Sequence, residues 1–236
     1  VARMNEIAND LGVDSIELGA TIAVLMDAGK GDFGDVAFMK EVTSEMMAGS
    51  ENGKFYATGT ARVGEALNFK RVPVIKKQAI SAYDPRLIEV TGISMMLTAQ
   101  GAEHTVGNAA TFKCDYKNGG ELVAESLRMQ INAAVADSLG LCVFGRSVTD
   151  ENLELIANAI NDAFDAGVTP DFIRNIGVET LRLEAAFNNA AGFGEGDDEW
   201  PAFFHEEPLP PTGKMARLHS REVNAAMQNL MEAQSL

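Results

Sequence analysis

The sequence is poor in the features that mark secreted, disulfide-stabilised and membrane-spanning proteins. Its 236 residues include only two cysteines, Cys114 and Cys142, which lie far apart along the chain. A disulfide scaffold of this length would carry more of them, so a reduced, cytoplasmic protein is favoured. No apolar run approaches the roughly 18 residues of a membrane-spanning helix. The first ten residues form a charged helical pattern and not a signal peptide. Because that pattern has already begun at Val1, we expect a fragment of a longer protein.

Positive charge is also scarce. Lysine and arginine together number 19 against 34 aspartates and glutamates, which gives a formal net charge of −15. Proteins bind nucleic-acid phosphates mainly through lysine and arginine, so this balance argues against nucleic acid as a partner. We expect the acidic surface to serve solubility.

The common catalytic signatures are missing as well. The sequence has no Cys-x-x-Cys pair, no His-Glu-x-x-His helix and no phosphate-binding P-loop, which are the short motifs that most directly indicate chemistry. Taken alone, the residue patterns therefore leave open a helical scaffold or interaction module that binds no cofactor.

Helical patterns, by contrast, occupy most of the chain. Asp14 is placed to cap a helix, with Glu17 reaching back to it. Asp84-Pro85 and Thr149 are each expected to open a helix, and Thr169-Pro170 another. The predicted helices cover residues 16–25, 35 to the glycines at 49 and 53, 60–67, 84–97, 121–139, 149–166, 169–191 and 217–233. The sequence therefore predicts an all-α, multihelical fold.

One segment interrupts this helical pattern. Residues 69–82 include Val72-Pro73-Val74-Ile75, which indicates an extended connector or a short strand. We take it as the domain boundary, which predicts one helical domain over residues 1–78 and a C-terminal helical domain over residues 79–236.

Two segments of the chain share a form. Asn9-Asp10-Leu11-Gly12-Val13-Asp14 and Asp137-Ser138-Leu139-Gly140-Leu141-Cys142 each place an acid or amide three residues before a glycine at a helix end. Glycine there allows a positive φ and lets backbone N–H groups approach a ligand closely. The plain alternative is that both are ordinary helix C-caps.

These two segments resemble the paired pterin-binding motifs of the aldehyde:ferredoxin oxidoreductase family, Asp-x-x-Gly-Leu-Asp and Asp-x-x-Gly-Leu-Cys. Between them, Ala82-Tyr83-Asp84-Pro85-Arg86 is similar to the family's Ala-Tyr-Asp-Pro-Arg. Gly101-Ala102-Glu103-His104-Thr105 resembles its Gly-Ala-x-His segment. The resemblance extends from about residue 5 to 211, through a closing pattern with Phe187-Asn188, Gly192-Phe193, Asp197-Asp198, Pro201 and 206–210. It implies the two C-terminal helical domains of such an enzyme.

Several positions depart from the family pattern. Asn9 replaces an acid, and Gln100 stands where family members often carry arginine. The connector Lys76-Lys77-Gln78-Ala79 lacks the usual Lys-Gly-x-Glu, and the pattern ends after Pro211. These departures leave the substrate open. Besides an aldehyde, an aromatic thioester or a sugar-phosphate aldehyde remains an alternative within the family.

The resemblance also implies a cofactor site. Such enzymes hold tungsten (or molybdenum) between two pterins, beside a [4Fe-4S] cluster. Asn9, Gly12 and Asp14 would face one pterin, and the other would contact Asp137, Gly140 and Leu141. Cys142 would be the fourth ligand of the cluster, since thiolates are the usual ligands of such iron.

The remaining parts of that site are implied to lie outside this chain. By the resemblance, the other three cluster cysteines lie in a Cys-x-x-Cys-x-x-x-Cys run upstream of Val1, and an N-terminal domain that supports the pterins is also missing. We therefore expect this chain alone to hold neither cofactor and to be inactive.

Tyr83 and His104 match residues that line the substrate cavity. By this resemblance Tyr83 binds an aldehyde oxygen, and His104 acts as an acid or base. The implied reaction oxidises an aldehyde to a carboxylic acid and passes electrons through the cluster to ferredoxin. A homodimer is a further expectation.

Overall fold

The computed structural model describes residues 1–234, and helices dominate that range. Within it are twelve α-helices and one two-stranded hairpin, which confirms the predicted all-α class. The helices are α1 (Ala2–Leu11), α2 (Ser15–Asp27), α3 (Val36–Ala48), α4 (Glu51–Tyr56), α5 (Thr60–Ala66), α6 (Glu89–Leu97), α7 (Gly119–Ser138), α8 (Arg146–Thr149), α9 (Leu153–Phe164), α10 (Pro170–Ala190), α11 (Phe203–Glu206) and α12 (Ser220–Ala233). The strands are β1 (Val74–Ile75) and β2 (Gln78–Ala79). None of the helices described is both long and apolar enough to cross a bilayer.

The chain divides into two compact units. Unit 1 comprises residues 1–82 and 200–215, and unit 2 comprises residues 83–199 and 216–236. The domain limits expected from the sequence, 1–78 and 79–236, remain a prediction about the family's domains.

Unit 1 is built around apolar side chains on its first helices. They form one buried cluster: Ala8, Leu18, Ile22, Leu25, Met26, Val42, Met46 and Val63. α2 begins as predicted, because the Asp14 carboxylate accepts the backbone N–H of Glu17 at 2.8 Å. α3 begins in the same way at Asp35 and ends at Gly49, whose φ is 62°. The prediction that Gly53 also ends this helix was wrong, since Gly53 lies inside α4, packed against the backbone of α3.

The Glu17 side chain does not reach back to complete the predicted capping box. Its carboxylate accepts hydrogen bonds from Thr60 N at 3.0 Å and Thr60 Oγ1 at 2.7 Å. The other oxygen accepts Ala79 N at 2.6 Å. One side chain therefore joins α2 to the start of α5 and to β2.

The predicted extended connector is a tight hairpin. β1 and β2 pair in antiparallel fashion, with Val74 opposite Ala79 and Ile75 opposite Gln78. The two turn residues have positive φ, 50° at Lys76 and 64° at Lys77. Two positive φ values define the hairpin turn that matches strand twist, although asparagine and glycine are the residues that favour it.

Unit 2 is centred on α7, the helix predicted from residues 121–139. Its start is fixed by a capping box, in which Asn118 accepts Glu121 N and the Glu121 carboxylate accepts Asn118 N, both at 3.0 Å. α10 crosses α7 at Gly177, where a Cβ would lie 2.5 Å from the carbonyl oxygen of Ile131. The absence of a side chain at that position lets the two backbones approach.

Three helix starts in unit 2 were predicted too early, including that of α12, which begins at Ser220 and not at residue 217. Asp84-Pro85 forms a turn, in which Asp84 O accepts the N–H groups of residues 87 and 88, and α6 begins only at Glu89. Thr149 ends the short α8 instead of capping a helix, and α9 begins at Leu153. In contrast, Thr169 caps α10 as predicted, accepting Phe172 N at 3.2 Å.

Candidate functional site

The turn that follows α7 has a closed hydrogen-bond pattern. Gly140 has a φ of 66°. Its N–H donates to Asp137 O at 3.1 Å, and Leu141 N donates to Ala136 O at 2.8 Å. This is the two-bond arrangement by which many helices end at a left-handed glycine. Both N–H groups are thus satisfied within the turn, so the side chains of Asp137 and Cys142 are its groups available to a ligand.

The turn after α1 repeats this arrangement in unit 1. Gly12 has a φ of 67°, and its N–H donates to Asn9 O at 3.2 Å. Val13 N donates to Ala8 O at 3.0 Å. Asp14 then caps α2. Both glycine turns are therefore helix C-caps. Their contact with a pterin is not excluded by this geometry and stays a prediction.

The two cysteines occupy opposite environments. Cys142 is exposed, while Cys114 is buried with 4% of its surface accessible. After Cys142 comes a 3₁₀ segment, Val143–Gly145, in which the Phe144 side chain is 93% exposed. An exposed thiol just beyond the end of a helix is suited to be a cluster ligand, because it is accessible to iron that other residues hold.

A second carboxylate, that of Glu184, lies near this turn, and no sequence motif predicted it. Glu184 lies on α10, one helical turn beyond Thr180, whose Oγ1 is 3.4 Å from Ser138 Oγ. Partial burial raises the pKa of Glu184 above its ordinary value, and the negative charge of Asp137 adds to the increase. The sequence shows Glu184 only as one more acid on a helix, since its proximity to Asp137 depends on how α7 and α10 pack.

Tyr83 and His104 lie together in unit 2. Their ring centroids are 5.1 Å apart, with the planes tilted by 34°. Asp84 and Arg86 shape the turn beside Tyr83, since Arg86 donates to both Asp84 carboxylate oxygens at 2.9 and 2.7 Å. The sequence prediction that these two aromatic side chains share one place therefore has a geometric counterpart, although their catalytic roles stay predictions.

The Nδ1 atom of His104 has a charged neighbour but no hydrogen bond in the described part of the chain. Nδ1 lies 3.3 Å from Glu103 Oε1, but the angle is unsuitable, so this buried atom makes no hydrogen bond within the described residues.

A small cavity lies beneath the second glycine turn. Its lining includes Leu141, Thr149 and Asp150, and its volume of about 10 Å³ admits no more than about one water molecule. A pterin cannot enter it.

The positions of the predicted site residues follow the division of the chain. Asn9, Gly12 and Asp14 belong to unit 1, while the others belong to unit 2. Those others are Tyr83, His104, Asp137, Gly140, Leu141 and Cys142. That the two glycine turns meet at one cofactor pair stays a prediction.

Comparison with known proteins decides the family. A family model described as "Aldehyde ferredoxin oxidoreductase, domains 2 & 3" matches residues 1–233. The chain belongs to this family. The resemblance drawn from the motifs is thereby confirmed, and with it the assignment to the C-terminal helical domains of an aldehyde ferredoxin oxidoreductase.

Curated relatives carry the same description. The chain is similar to the tungsten-containing aldehyde ferredoxin oxidoreductase of Pyrococcus horikoshii, with 26% identity over 238 residues, 89% of this chain and 39% of the relative. It is 25% identical to the proteins of that name from Pyrococcus furiosus and Thermococcus kodakarensis, covering 89% of this chain and 38% of each. The chain thus spans about two fifths of the length of the relatives it matches.

Proposed function

We propose that this chain is the C-terminal part of an oxidoreductase that converts an aldehyde and water into a carboxylic acid. Two electrons would leave the substrate and pass, one at a time, through a [4Fe-4S] cluster to ferredoxin. The observation that carries the proposal is the exposed Cys142 thiol, at the end of α7, in a chain that matches the family over residues 1–233.

The cofactor would be a tungsten or molybdenum atom between two pterins, and this metal would supply the two-electron oxygen chemistry. The chain's own part is to hold and enclose it. The exposed carboxylate of Asp137 is suited to accept hydrogen bonds from pterin ring N–H groups, and Asp14 and the Asn9 amide offer comparable acceptors in unit 1. Cys142 Sγ would bond one iron of the cluster.

Glu184 would affect the charge at that surface. Because its pKa is raised by burial and by Asp137, it takes up a proton more readily than an isolated glutamate. A protonated Glu184 donates a hydrogen bond, whereas the charged form only accepts. Asp137 and Glu184 together would thus present one charge or two, depending on pH.

Tyr83 and His104 would act on the substrate. The Tyr83 hydroxyl can donate a hydrogen bond to the aldehyde oxygen, and the adjacent imidazole can accept or return the proton of the hydrated aldehyde. The 5.1 Å between their ring centroids allows both to reach one small substrate.

Two partners follow from this proposal. One is an N-terminal pterin-binding domain, and the exposed apolar side chains beside Cys142 support its covering this segment. Phe144 is 93% exposed and Val148 55%. The other partner is ferredoxin, as electron acceptor.

The test uses the full-length protein, purified without oxygen. Tungsten or molybdenum content is measured by mass spectrometry, and aldehyde-dependent reduction of ferredoxin is followed optically. Metal together with activity on a simple aldehyde supports the proposal. If the protein contains the metal but acts only on aromatic thioesters or sugar-phosphate aldehydes, the proposed substrate class is wrong. A protein without metal and without activity would refute the enzyme assignment.

A further inference from the structure

The turn that carries His104 rests on polar side chains that are themselves buried. This turn, residues 104–109, contains the 3₁₀ segment Thr105–Gly107. Ala109 N donates to Thr91 Oγ1 at 2.9 Å, and Gly107 O accepts Ser94 Oγ at 3.1 Å. Thr91 and Ser94 lie on α6, and neither has measurable exposure. Two points of the turn are therefore joined to α6.

Ser94 belongs to a larger buried network. Its Oγ is 2.7 Å from Ser126 Oγ, which accepts Gln130 Nε2 at 3.0 Å. A Cβ at Gly107 would collide with the Ser94 side chain, so the turn lies directly on α6. Connected buried hydrogen bonds hold one arrangement more firmly than isolated ones. The network thus makes α6 and α7 a rigid support for the turn.

Arg146 contacts the turn from a third direction. Its guanidinium is 9% exposed, and Nη1 lies 3.5 Å from Thr105 O, the longest of its contacts. Nη2 donates to Met129 O at 3.1 Å, and Nε and Nη2 lie 3.2 and 3.1 Å from the Asp150 carboxylate. Arg146 stands four residues after Cys142. It therefore links the helix that follows the predicted cluster ligand to the turn that bears the predicted acid or base.

These contacts matter because the imidazole is not fixed by hydrogen bonds of its own Nδ1. A ring without such a bond takes its orientation from its backbone and from the side chains it packs on, here Tyr83. Burying a hydroxyl group lowers stability unless the group makes a hydrogen bond. The hydroxyl groups of Thr91 and Ser94 make theirs with the turn.

We propose that Thr91, Ser94 and Arg146 are positioning residues, which set the orientation of His104 against Tyr83 and couple it to the Cys142 segment. The relevance of His104 to catalysis rests on the proposed function. The measurements below need no cofactor, so the positioning and the activity can fail separately.

The first test replaces Thr91 with valine in the intact protein. Thr91→Val keeps the side-chain shape and leaves Ala109 N–H without its acceptor. Hydrogen exchange of the peptide spanning residues 105–109 should accelerate by roughly tenfold, the scale of one lost buried hydrogen bond. Thr43→Val is the matched control, since Thr43 is equally buried but its hydroxyl bonds only Met39 O and Lys40 O of its own helix.

The second test replaces Arg146 with lysine, which keeps the charge and loses the fork that joins Thr105, Met129 and Asp150. Arg128→Lys is its control, because Arg128 pairs with Glu125 on the exposed side of α7. The readout is the rate of carbethoxylation of His104 relative to His205 and His219, measured by peptide mass spectrometry. It should change at least severalfold in Arg146→Lys and Thr91→Val, on the order expected for a lost buried contact, and stay unchanged in both controls.

Selective change at residues 104–109 and at His104 supports the proposal, and in the active enzyme kcat should then fall more than KM changes. Unchanged exchange and His104 reactivity in both variants overturn it. So does a uniform rise in exchange that includes α9 and α10, because that result describes general loosening of unit 2. If Arg146→Lys does not fold, Thr91→Val decides the question alone.

Discussion

Two carboxylates of unit 1, those of Glu17 and Glu6, differ in the number of groups that they contact. Glu17 accepts three hydrogen bonds, from two groups of Thr60 and from Ala79 N. Glu6, by comparison, pairs with Arg3, and both side chains are 61% exposed. Exposed ion pairs of this kind contribute little.

We expect Glu17→Gln to lower the free energy of unfolding of unit 1 by about 1–3 kcal/mol, because the amide NH₂ would face an N–H donor and leave it unpaired. Urea denaturation followed by circular dichroism measures this loss. Glu6→Gln is the control and should change stability by less than about 0.5 kcal/mol. Equal effects of the two substitutions would contradict the role assigned to Glu17.

The hairpin turn offers the opposite case, a residue whose replacement improves stability. Lys77 has a φ of 64°, which costs a side-chain-bearing residue about 1 kcal/mol. Lys77→Gly should therefore raise the unfolding free energy by about 0.5–1 kcal/mol, whereas Lys40→Gly within α3 should lower it by about 1 kcal/mol. Thermal denaturation compares the two variants with the parent. A loss of stability in Lys77→Gly would show that the backbone of Lys77 is not strained.

Among the elements, the crossing of α7 and α10 fixes the second glycine turn. A Cβ added at Gly177 would lie within 3.1 Å of backbone and side-chain atoms of α7. A Cβ added at Gly19 in α2 would meet no atom of a neighbouring segment within 4 Å among the described residues. Gly177→Ala should cost about 1–3 kcal/mol, since the two helices must separate. Gly19→Ala should add up to about 1 kcal/mol through helix propensity. Chemical denaturation measures both changes in the free energy of unfolding, and changes of opposite sign support this packing. A Gly177→Ala variant as stable as the parent would contradict it.

The same crossing predicts a pH dependence. The folded-state pKa of Glu184 lies above its ordinary value of 4.5, first through burial and then through Asp137. The folded chain binds this proton more tightly than the unfolded one, so its stabilising effect is present below about pH 4.5 and is lost as pH rises through the folded pKa.

Glu184→Gln should consequently be more stable than the parent near neutral pH and about equal to it near pH 4. Denaturation midpoints across this range measure the difference. Glu154→Gln, on the exposed face of α9, is the control. If Glu184→Gln shows the parent's pH profile, the pKa of Glu184 is not raised in the folded chain.

Local patterns predicted the elements well where one strong signal stood alone. Thr169-Pro170 predicted the start of α10, and Asp14 the start of α2, because cap and helix are neighbours in sequence. The helix start predicted at Asp84-Pro85 was wrong, since the Asp84 carbonyl accepts the hydrogen bonds of a turn and its carboxylate binds Arg86. The capping role predicted for Glu17 was wrong and Glu184 was not singled out, because their partners lie more than 40 positions away.

For the molecule as a whole, the motifs identified the family, while the predicted site residues are distributed over two units. The matched relatives are about two and a half times as long as this chain, and the substrate, the electron acceptor and the quaternary state stay proposals. The reduced cytoplasmic setting expected from two unpaired cysteines also stays a prediction.

The proposed function requires that Cys142, in the turn after α7, supplies a thiolate to an iron–sulfur cluster. The measurement is iron content together with the electron paramagnetic resonance spectrum of the reduced full-length protein, in the parent, in Cys142→Ala and in Cys114→Ala. We predict that Cys114→Ala keeps the parent's iron and signal, while Cys142→Ala loses iron or changes the signal. A Cys142→Ala protein with the parent's iron content and spectrum would contradict the account.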